Sequence, residues 1–400
     1  MKVCIVANLY PPLAFGGATG VAASTAELLT KKGHEVIVIT ISPDKKDHIE
    51  EINNVKVYRI NPLNFFSFYD DFKDRNRPAV LKFLWHVVDL WNVDSYREVK
   101  EILKNESPDI VHVHNYKGIS MSMFNAAKSL NIPLIFTAHD HSFMCIRAGL
   151  LKDSGEMCHD PNLGCKFYVK IQKMLAAKPD LITAPSNFLI ENFQKSGLFE
   201  DVEKIKIANP IEIGERINEK NYENIDILYV GELYKHKGVE TLIHAFKKLK
   251  HENINLHLLG NIKDENLVEL IESDDRIIFH GFLINEELNN MYQKANITVV
   301  PSICFDNSPM VIYESLVNGT PVLGSKIGGI PELIEENHNG LLFEAGNVDE
   351  LSDLLQSLID NPSKLRKLEK NAFKSVKKYG MGKYVEKLED IYHELLNKKN

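Results

Sequence analysis

Four hundred residues with 44% hydrophobic and 26% charged side chains are the composition of an ordinary globular chain, with material for two or three domains. A net charge of −8 excludes the basic excess expected of a general nucleic-acid binder, and no apolar run reaches the length of a transmembrane helix. Five cysteines, an odd count, and a start without the apolar core and cleavage site of a signal peptide point to a reducing, cytoplasmic setting.

In chain order, residues 3–7 read as a buried strand, 20–32 as a helix and 35–41 as a second strand. Further strands are expected at 110–113, 134–137, 181–184 and 204–208, after which Asn209-Pro210 breaks the pattern. Continuous Val/Ile/Leu runs separated by helices indicate a parallel sheet covered on both faces. A second alternating series has strands at 227–230, 255–259, 276–279, 297–300, 321–324 and 341–343. Helices are expected at 239–249, 286–294 and 349–358, and two more, 364–379 and 383–397, end the chain. Two consecutive doubly wound α/β domains account for this order. They span residues 1–208 and 226–379, with a linker over 209–225 and a terminal helix in 380–400 expected to pack back towards the first domain. From residue 364 onward eleven Lys or Arg stand against five Asp or Glu, a net of +6. A basic helical end of this kind is read as a solvated face in preference to a lipid-binding one.

Segment 61–96 departs from the alternation. It holds Phe65, Phe66, Phe68, Tyr69, Phe72, Phe83, Trp85, Trp91 and Tyr96, and both tryptophans of the chain. Such density fits a helical insert packed on the first domain, or an apolar platform for a lipid-bearing acceptor or a membrane surface.

Several constellations carry chemistry. After the first strand, Asn8-Leu9-Tyr10-Pro11-Pro12 leads to Gly16-Gly17 before a helix, where the backbone can approach a phosphate closely. The spacing of Gly16, Gly17 and Gly20 is not that of a dinucleotide fingerprint. His112 and His114 end one strand, and His139 and His141 follow another, on the strand ends where open α/β sheets bind ligands. In the second domain Gly231-Glu232-Leu233-Tyr234-Lys235-His236-Lys237-Gly238 forms a glycine turn in which Lys237 either neutralises phosphate or lies on a solvated turn. Asp306-Asn307-Ser308-Pro309-Met310-Val311 then opens a helix containing Glu314 and ending at Gly319. Ser308 is expected to cap this helix, with Pro309 at its first position. Two acids bracketing a helix N-terminus suit a nucleotide-sugar, with the bland alternative that both acids are merely solvated. Cys145, Cys158 and Cys165 lack the spacing of a zinc site and are read as buried thiols in a loop.

Taken together and in order, these stretches resemble the retaining glycosyltransferases of family 4, of GT-B architecture. The resemblance includes Lys32-Gly33-His34-Glu35-Val36, His139-Asp140, Gly328-Gly329-Ile330-Pro331-Glu332 and Asn339-Gly340-Leu341-Leu342-Phe343. It implies two Rossmann-like doubly wound domains facing a central cleft, the first serving the acceptor and the second a nucleotide-diphosphate sugar donor. By this resemblance Glu314 contacts the donor ribose, Asp306 lies near the transferred sugar, Lys237 and the 308–311 helix start hold the diphosphate, and Gly16 and Gly17 face it. His139 matches a histidine beside the anomeric carbon, and domain closure would bring it towards Asp306. No cofactor or obligatory metal is implied. The acceptor would be a glycan or a lipid-linked glycan, with peripheral contact to a membrane and no nucleic acid. Glu232 departs from the family, which commonly carries Arg there. Two alternatives are an epimerase-like enzyme acting on nucleotide-sugars and a non-catalytic nucleotide- or glycan-binding partner.

Overall fold

A computed structural model describes residues 1–12, 17–73, 77–152, 154–214 and 220–398. The chain divides into two compact units. Residues Met1–Gly149, Asp160–Pro210 and Gly382–Asn400 form the first, and Leu150–His159 with Ile211–Met381 form the second.

The first unit is built on eight strands: β1 (Lys2–Val6), β2 (Glu35–Ile41), β3 (His48–Ile52), β4 (Val55–Ile60), β5 (Ile110–Val113), β6 (Leu134–Thr137), β7 (Leu181–Ala184) and β8 (Lys204–Lys206). They lie in the order β3-β4-β2-β1-β5-β6-β7-β8, parallel except for β3 against β4. Val3 of β1 pairs with Val36 on one side and Ile110 on the other. The chain therefore reverses its direction of travel across the sheet between β1 and β5, and the loops after both strands open at this switch point. Strands β5, β6 and β7 are buried along their whole length, which is why they read as uninterrupted apolar runs.

The β3–β4 hairpin corrects the expectation of an all-parallel sheet. Asn53 and Asn54 both have positive φ (50° and 62°), the turn that suits the twist of two antiparallel strands. The alternation of Val55, Val57 and Tyr58-Arg59-Ile60 after this Asn-Asn pair is the signal that identifies it. Helix Met381–Asn397 belongs to this unit from Gly382 on: Tyr384 meets Thr25 at 2.8 Å, Tyr392 meets His112 at 2.6 Å and Glu389 meets His34 at 2.8 Å.

Segment 61–96 is divided between core and surface. Phe66, Tyr69 and Trp85 are buried, with Phe66 stacked on Trp85 and the indole N–H donating to the Phe66 carbonyl at 2.9 Å. Phe65 and Phe83 are exposed, and the Phe72 side chain lies outside the described residues.

The second unit has six parallel strands, β9 (Ile225–Val230), β10 (Ile254–Leu259), β11 (Ile277–Gly281), β12 (Ile297–Val300), β13 (Val322–Ser325) and β14 (Gly340–Phe343), in the order β11-β10-β9-β12-β13-β14. Its core joins Ile227, Leu256, Leu258 and Val299 of the strands to Leu242 and Phe246 of helix Val239–Lys247 and Leu351 and Leu355 of helix Val348–Ile359. Lys220 is buried and donates to the carbonyls of Gln293 (3.0 Å) and Ala295 (2.5 Å), so its charge meets the carbonyl end of helix Asn285–Lys294. Here the switch point lies between β9 and β12. Residues 150–159 group with this unit, where a side chain at Gly155 would stand 3.4 Å from the Tyr234 ring.

Candidate functional site

The loops after β9 and β12 are pinned together. Gly238 takes φ +69°, and a Cβ there would stand 1.8 Å from the Pro301 carbonyl oxygen, so only glycine lets the first loop lie this close to the end of β12. The Ile303 N–H donates to the His236 carbonyl at 3.0 Å. This contact brings Lys237, from one loop, to Asp306, from the other: Nζ lies 2.6 Å from Oδ1. The Ser302 hydroxyl donates to the second carboxylate oxygen, Oδ2. Burial opposes ionisation of Asp306, but the Lys237 charge and these two hydrogen bonds outweigh it and hold the carboxyl below its ordinary value. Burial likewise works against the Lys237 ammonium, and the Asp306 charge overcomes it, raising the lysine above its ordinary value. The pair is thus doubly ionised. An ammonium has three N–H donors and Asp306 accepts one of them, so Lys237 keeps donor capacity for an anion.

Helix Met310–Val317 starts four residues after Asp306. Pro309 is its N-cap residue, not its first helical position, and no side chain caps it. The Ser308 hydroxyl pairs instead with the Tyr313 hydroxyl at 2.8 Å. The expectation of a Ser308 cap is therefore corrected: the Ser308 hydroxyl is engaged by the buried Tyr313 hydroxyl, and among the described residues no side chain caps the helix start. At the other end Gly319 (φ +71°) donates to Leu316 at 3.0 Å and Thr320 to Ser315 at 2.9 Å, the paired bonds of a Schellman stop. Glu314 sits in the second turn, where Tyr292 donates to its Oε2 at 2.8 Å. Burial raises the Glu314 carboxyl above its ordinary value, an effect the Tyr292 bond partly offsets. Met310 and Val311 are half-buried on the same turn.

Gly328 and Gly329 explain a motif whose role the sequence alone does not show. Gly328 has φ +62°, and a Cβ there would lie 2.4 Å from the Asp306 carbonyl oxygen, to which the Gly329 N–H donates at 2.7 Å. The two glycines thus fix the backbone that carries Asp306. Glu232 is exposed, as is Lys235. The Glu232 backbone carbonyl accepts from the Tyr229 hydroxyl at 2.8 Å, which positions the turn without using its carboxylate.

In the first unit, Gly17 is exposed and opens helix Gly17–Lys31, while Gly16 lies outside the described residues. Arg59 on β4, absent from the sequence expectations, is 2% exposed. It donates to the Pro11 carbonyl, to the Tyr10 carbonyl at 3.4 Å, and to Glu50 at 2.6 Å. A buried cation therefore holds the loop that leads to the glycines. Nothing local in the sequence signals this; the contact spans 48 residues.

The strand ends of β5 and β6 carry a histidine cluster. His139 Nε2 lies 3.0 Å from His114 Nδ1, and the two rings stack at 5.2 Å. His112 reaches Thr137 and the Tyr392 hydroxyl, both at 2.6 Å. His114 is fully buried and its Nε2 meets no partner. The tautomer that orphans no buried N–H therefore carries the His114 proton on Nδ1 and donates it to His139, an assignment made from the network. Burial lowers His139 to about 4, against a smaller upward pull from Asp140, and lowers His112 to about 3. These rings are neutral at pH 7. His141 accepts from the Asn192 amide at 3.1 Å and is also lowered by burial, to about 4.

The three cysteines of the 145–165 stretch are half-buried, not buried, and Cys165 lies on helix Leu163–Leu175 and not in a loop; Cys145 and Cys165 group with the first unit and Cys158 with the second. Among the described residues no three His, Cys, Asp or Glu side chains gather as metal ligands. No helix among them is long and apolar enough to cross a membrane.

Comparison with known proteins places these features in context. Residues 15–208 match the profile of Glycosyltransferase Family 4, and residues 211–375 that of Glycosyl transferases group 1. The chain is 24% identical to an alpha-monoglucosyldiacylglycerol synthase of Acholeplasma laidlawii, over 100% of this chain and 98% of that protein. Among solved structures it is similar to a sucrose-phosphate synthase from Thermosynechococcus elongatus (TM-score 0.76, 18% identity, 99% of both chains). It is also similar to Anabaena HepE in complex with UDP (TM-score 0.70, 16% identity, 98% of this chain and 100% of that one). At these identities the two structures show a shared fold.

Proposed function

Because the chain belongs to the group 1, family 4 glycosyltransferases of GT-B architecture, we propose that it moves a sugar, with retention at the anomeric carbon, from a nucleotide-diphosphate sugar to a glycan or lipid-linked acceptor. The setting we infer is the cytoplasmic face of a membrane, in surface polysaccharide or glycolipid assembly. The observation that carries this reading is the Lys237–Asp306 pair at the β9/β12 switch point, directly before the uncapped start of helix Met310–Val317.

In this reading the diphosphate lies on Lys237 and the N–H groups of the 308–311 turn, which stabilise the charge of the leaving group as its bond to the sugar breaks. Glu314, oriented by Tyr292, accepts from the ribose hydroxyls. Asp306, held ionised, serves the transferred sugar. Gly16 and Gly17 are assigned to the donor phosphates from the first unit, and His139 to the reacting sugar as a neutral hydrogen-bonding ring. No covalent nucleophile is assigned. Lys237 and the helix start supply the positive charge the leaving group needs, so the reading requires no metal; full turnover in EDTA is the expected result. The UDP in the Anabaena structure supports a nucleoside diphosphate as the ligand class, and the name of the Acholeplasma relative supports a lipid-borne acceptor.

The test is a panel of nucleotide-sugars, each incubated with and without lipid-linked and free glycan acceptors, with nucleotide release and product anomeric configuration measured. Acceptor-dependent release with a retained anomer is expected. An epimerised sugar would reveal a nucleotide-sugar epimerase instead, and binding without release under every condition a non-catalytic partner.

A further inference from the structure

Two helices of the first unit turn apolar side chains outward. Helix Ala79–Leu90 exposes Val80, Phe83 and Val87 at 70, 62 and 46%. Helix Leu163–Leu175 exposes Leu163, Phe167 and Met174 at 84, 65 and 75%. The intervals i, i+3, i+7 and i, i+4, i+11 place each trio along one helical stripe. The opposite sides are the buried ones, with Trp85 on the first helix and Tyr168 on the second. The His86 ring meets Tyr168 edge-on at 6.1 Å, so the helices are neighbours through their inner sides. In a water-soluble helix the apolar stripe normally faces the core; here each helix has a second one facing out.

The exposed charges that the two helices themselves carry have one sign. Helix Leu163–Leu175 carries Lys166, Lys170 and Lys173 and no acid, and helix Ala79–Leu90 carries Lys82. The only acid of the two helices, Asp89, is 3% exposed and turned inward, accepting from the Gly118 N–H at 2.8 Å. Lys170 lies on the same stripe as Phe167 and Met174. Lys166 is exposed and paired at 2.9 Å with the exposed Asp160. This local excess contrasts with the chain as a whole, whose net charge is −8.

We propose that these two helices form a docking face for an anionic lipid surface. The aromatic and aliphatic side chains would enter the boundary between headgroups and acyl chains, and Lys170 and Lys166 would face the headgroup phosphates. A second copy of the chain suits the face less well. A twofold contact would bring the lysine-bearing stripe of one molecule against that of the other, like charge on like. The inference does not depend on sugar transfer, because membrane binding is read without donor or acceptor.

The experiment is sedimentation of the full chain with vesicles of phosphatidylglycerol and phosphatidylcholine in equal parts, against vesicles of phosphatidylcholine alone. Binding to the anionic vesicles, weakened by salt, is expected to exceed binding to the neutral ones by about tenfold or more. The double variant Phe167→Ser, Met174→Ser should lose about tenfold of that partition with unchanged thermal unfolding. Lys166→Gln with Lys170→Gln should erase the preference for anionic lipid and keep the residual apolar binding. Three results would overturn the proposal: a native chain that stays in the supernatant, a serine variant that sediments like the native chain, or a native dimer that the serine substitutions dissolve.

Discussion

Both units gather polar side chains at the carboxyl ends of parallel strands beside a switch point, yet one unit keeps its charges and the other extinguishes them. Lys237 and Asp306 stay ionised because an opposite charge at 2.6 Å outweighs burial for each. His112, His114 and His139 are buried with one another, and the rings stay neutral. Asp140 pulls His139 upward, and burial still prevails. The same sheet edge thus yields ionic or neutral chemistry according to whether a counter-charge is within contact distance.

Acid should separate the two units most strongly. In the first unit burial lowers His86, His139 and His141 to about 4, His112 to about 3, and His114 well below its ordinary value. Each histidine takes its proton more readily when unfolded, so its contribution is present above the unfolded value, about 6.5, and declines as pH falls below it. Buried Asp89 and Glu98, pushed up to about 7, act in the opposite direction, two groups against five. The Asp306 carboxyl is lowered, so the stabilisation it gives the second unit is kept until the pH falls below the ordinary carboxyl range, about 3.9. Both tryptophans, Trp85 and Trp91, are in the first unit. Their fluorescence should therefore report unfolding between about pH 6 and 4, ahead of the loss of far-UV ellipticity. Coincident transitions would show that the histidines do not set the acid limit.

Next comes Lys237→Ala, which leaves Asp306 without its counter-charge. Turnover at saturating donor should fall about 100-fold or more, the scale of losing one preorganised group on a developing charge. Near-native turnover would detach the pair from the chemistry. Glu314→Gln, which keeps the shape and the Tyr292 contact, should weaken donor binding by about tenfold in calorimetry. Unchanged affinity would remove its ribose role. The smallest effect is expected from His114→Phe, which preserves ring volume and removes the donor to His139. We expect kcat to fall about fivefold with the donor KM unchanged, and the His139 tautomer to shift in nitrogen NMR. An unaltered tautomer would refute the Nδ1–H assignment.

Much of this was legible in the residues, and what was not has physical reasons. The apolar strand runs, the Gly319 stop and the placement of Glu314 in a second turn follow from local rules of propensity and capping. The β3–β4 hairpin is signalled locally only by Asn53-Asn54, because strand His48–Ile52 is polar and largely exposed and carries no apolar run. The Ser308 hydroxyl went to Tyr313, a partner in the helix itself that competes with the expected cap. The Lys237–Asp306 pair joins residues 69 positions apart, and the Arg59 clamp joins residues 48 apart. Such contacts exist only once the sheet order has set loops side by side, and no single-segment rule contains them.

In the proposed function, Lys237 and the helix start hold the diphosphate of a nucleotide-sugar. The most direct test compares binding of each common nucleoside diphosphate with binding of its nucleoside, in the native chain and in Lys237→Ala. The native chain should prefer one diphosphate strongly over its nucleoside, and the variant should lose most of that preference while still binding the nucleoside. An equal preference in both proteins would show that Lys237 does not bind the diphosphate.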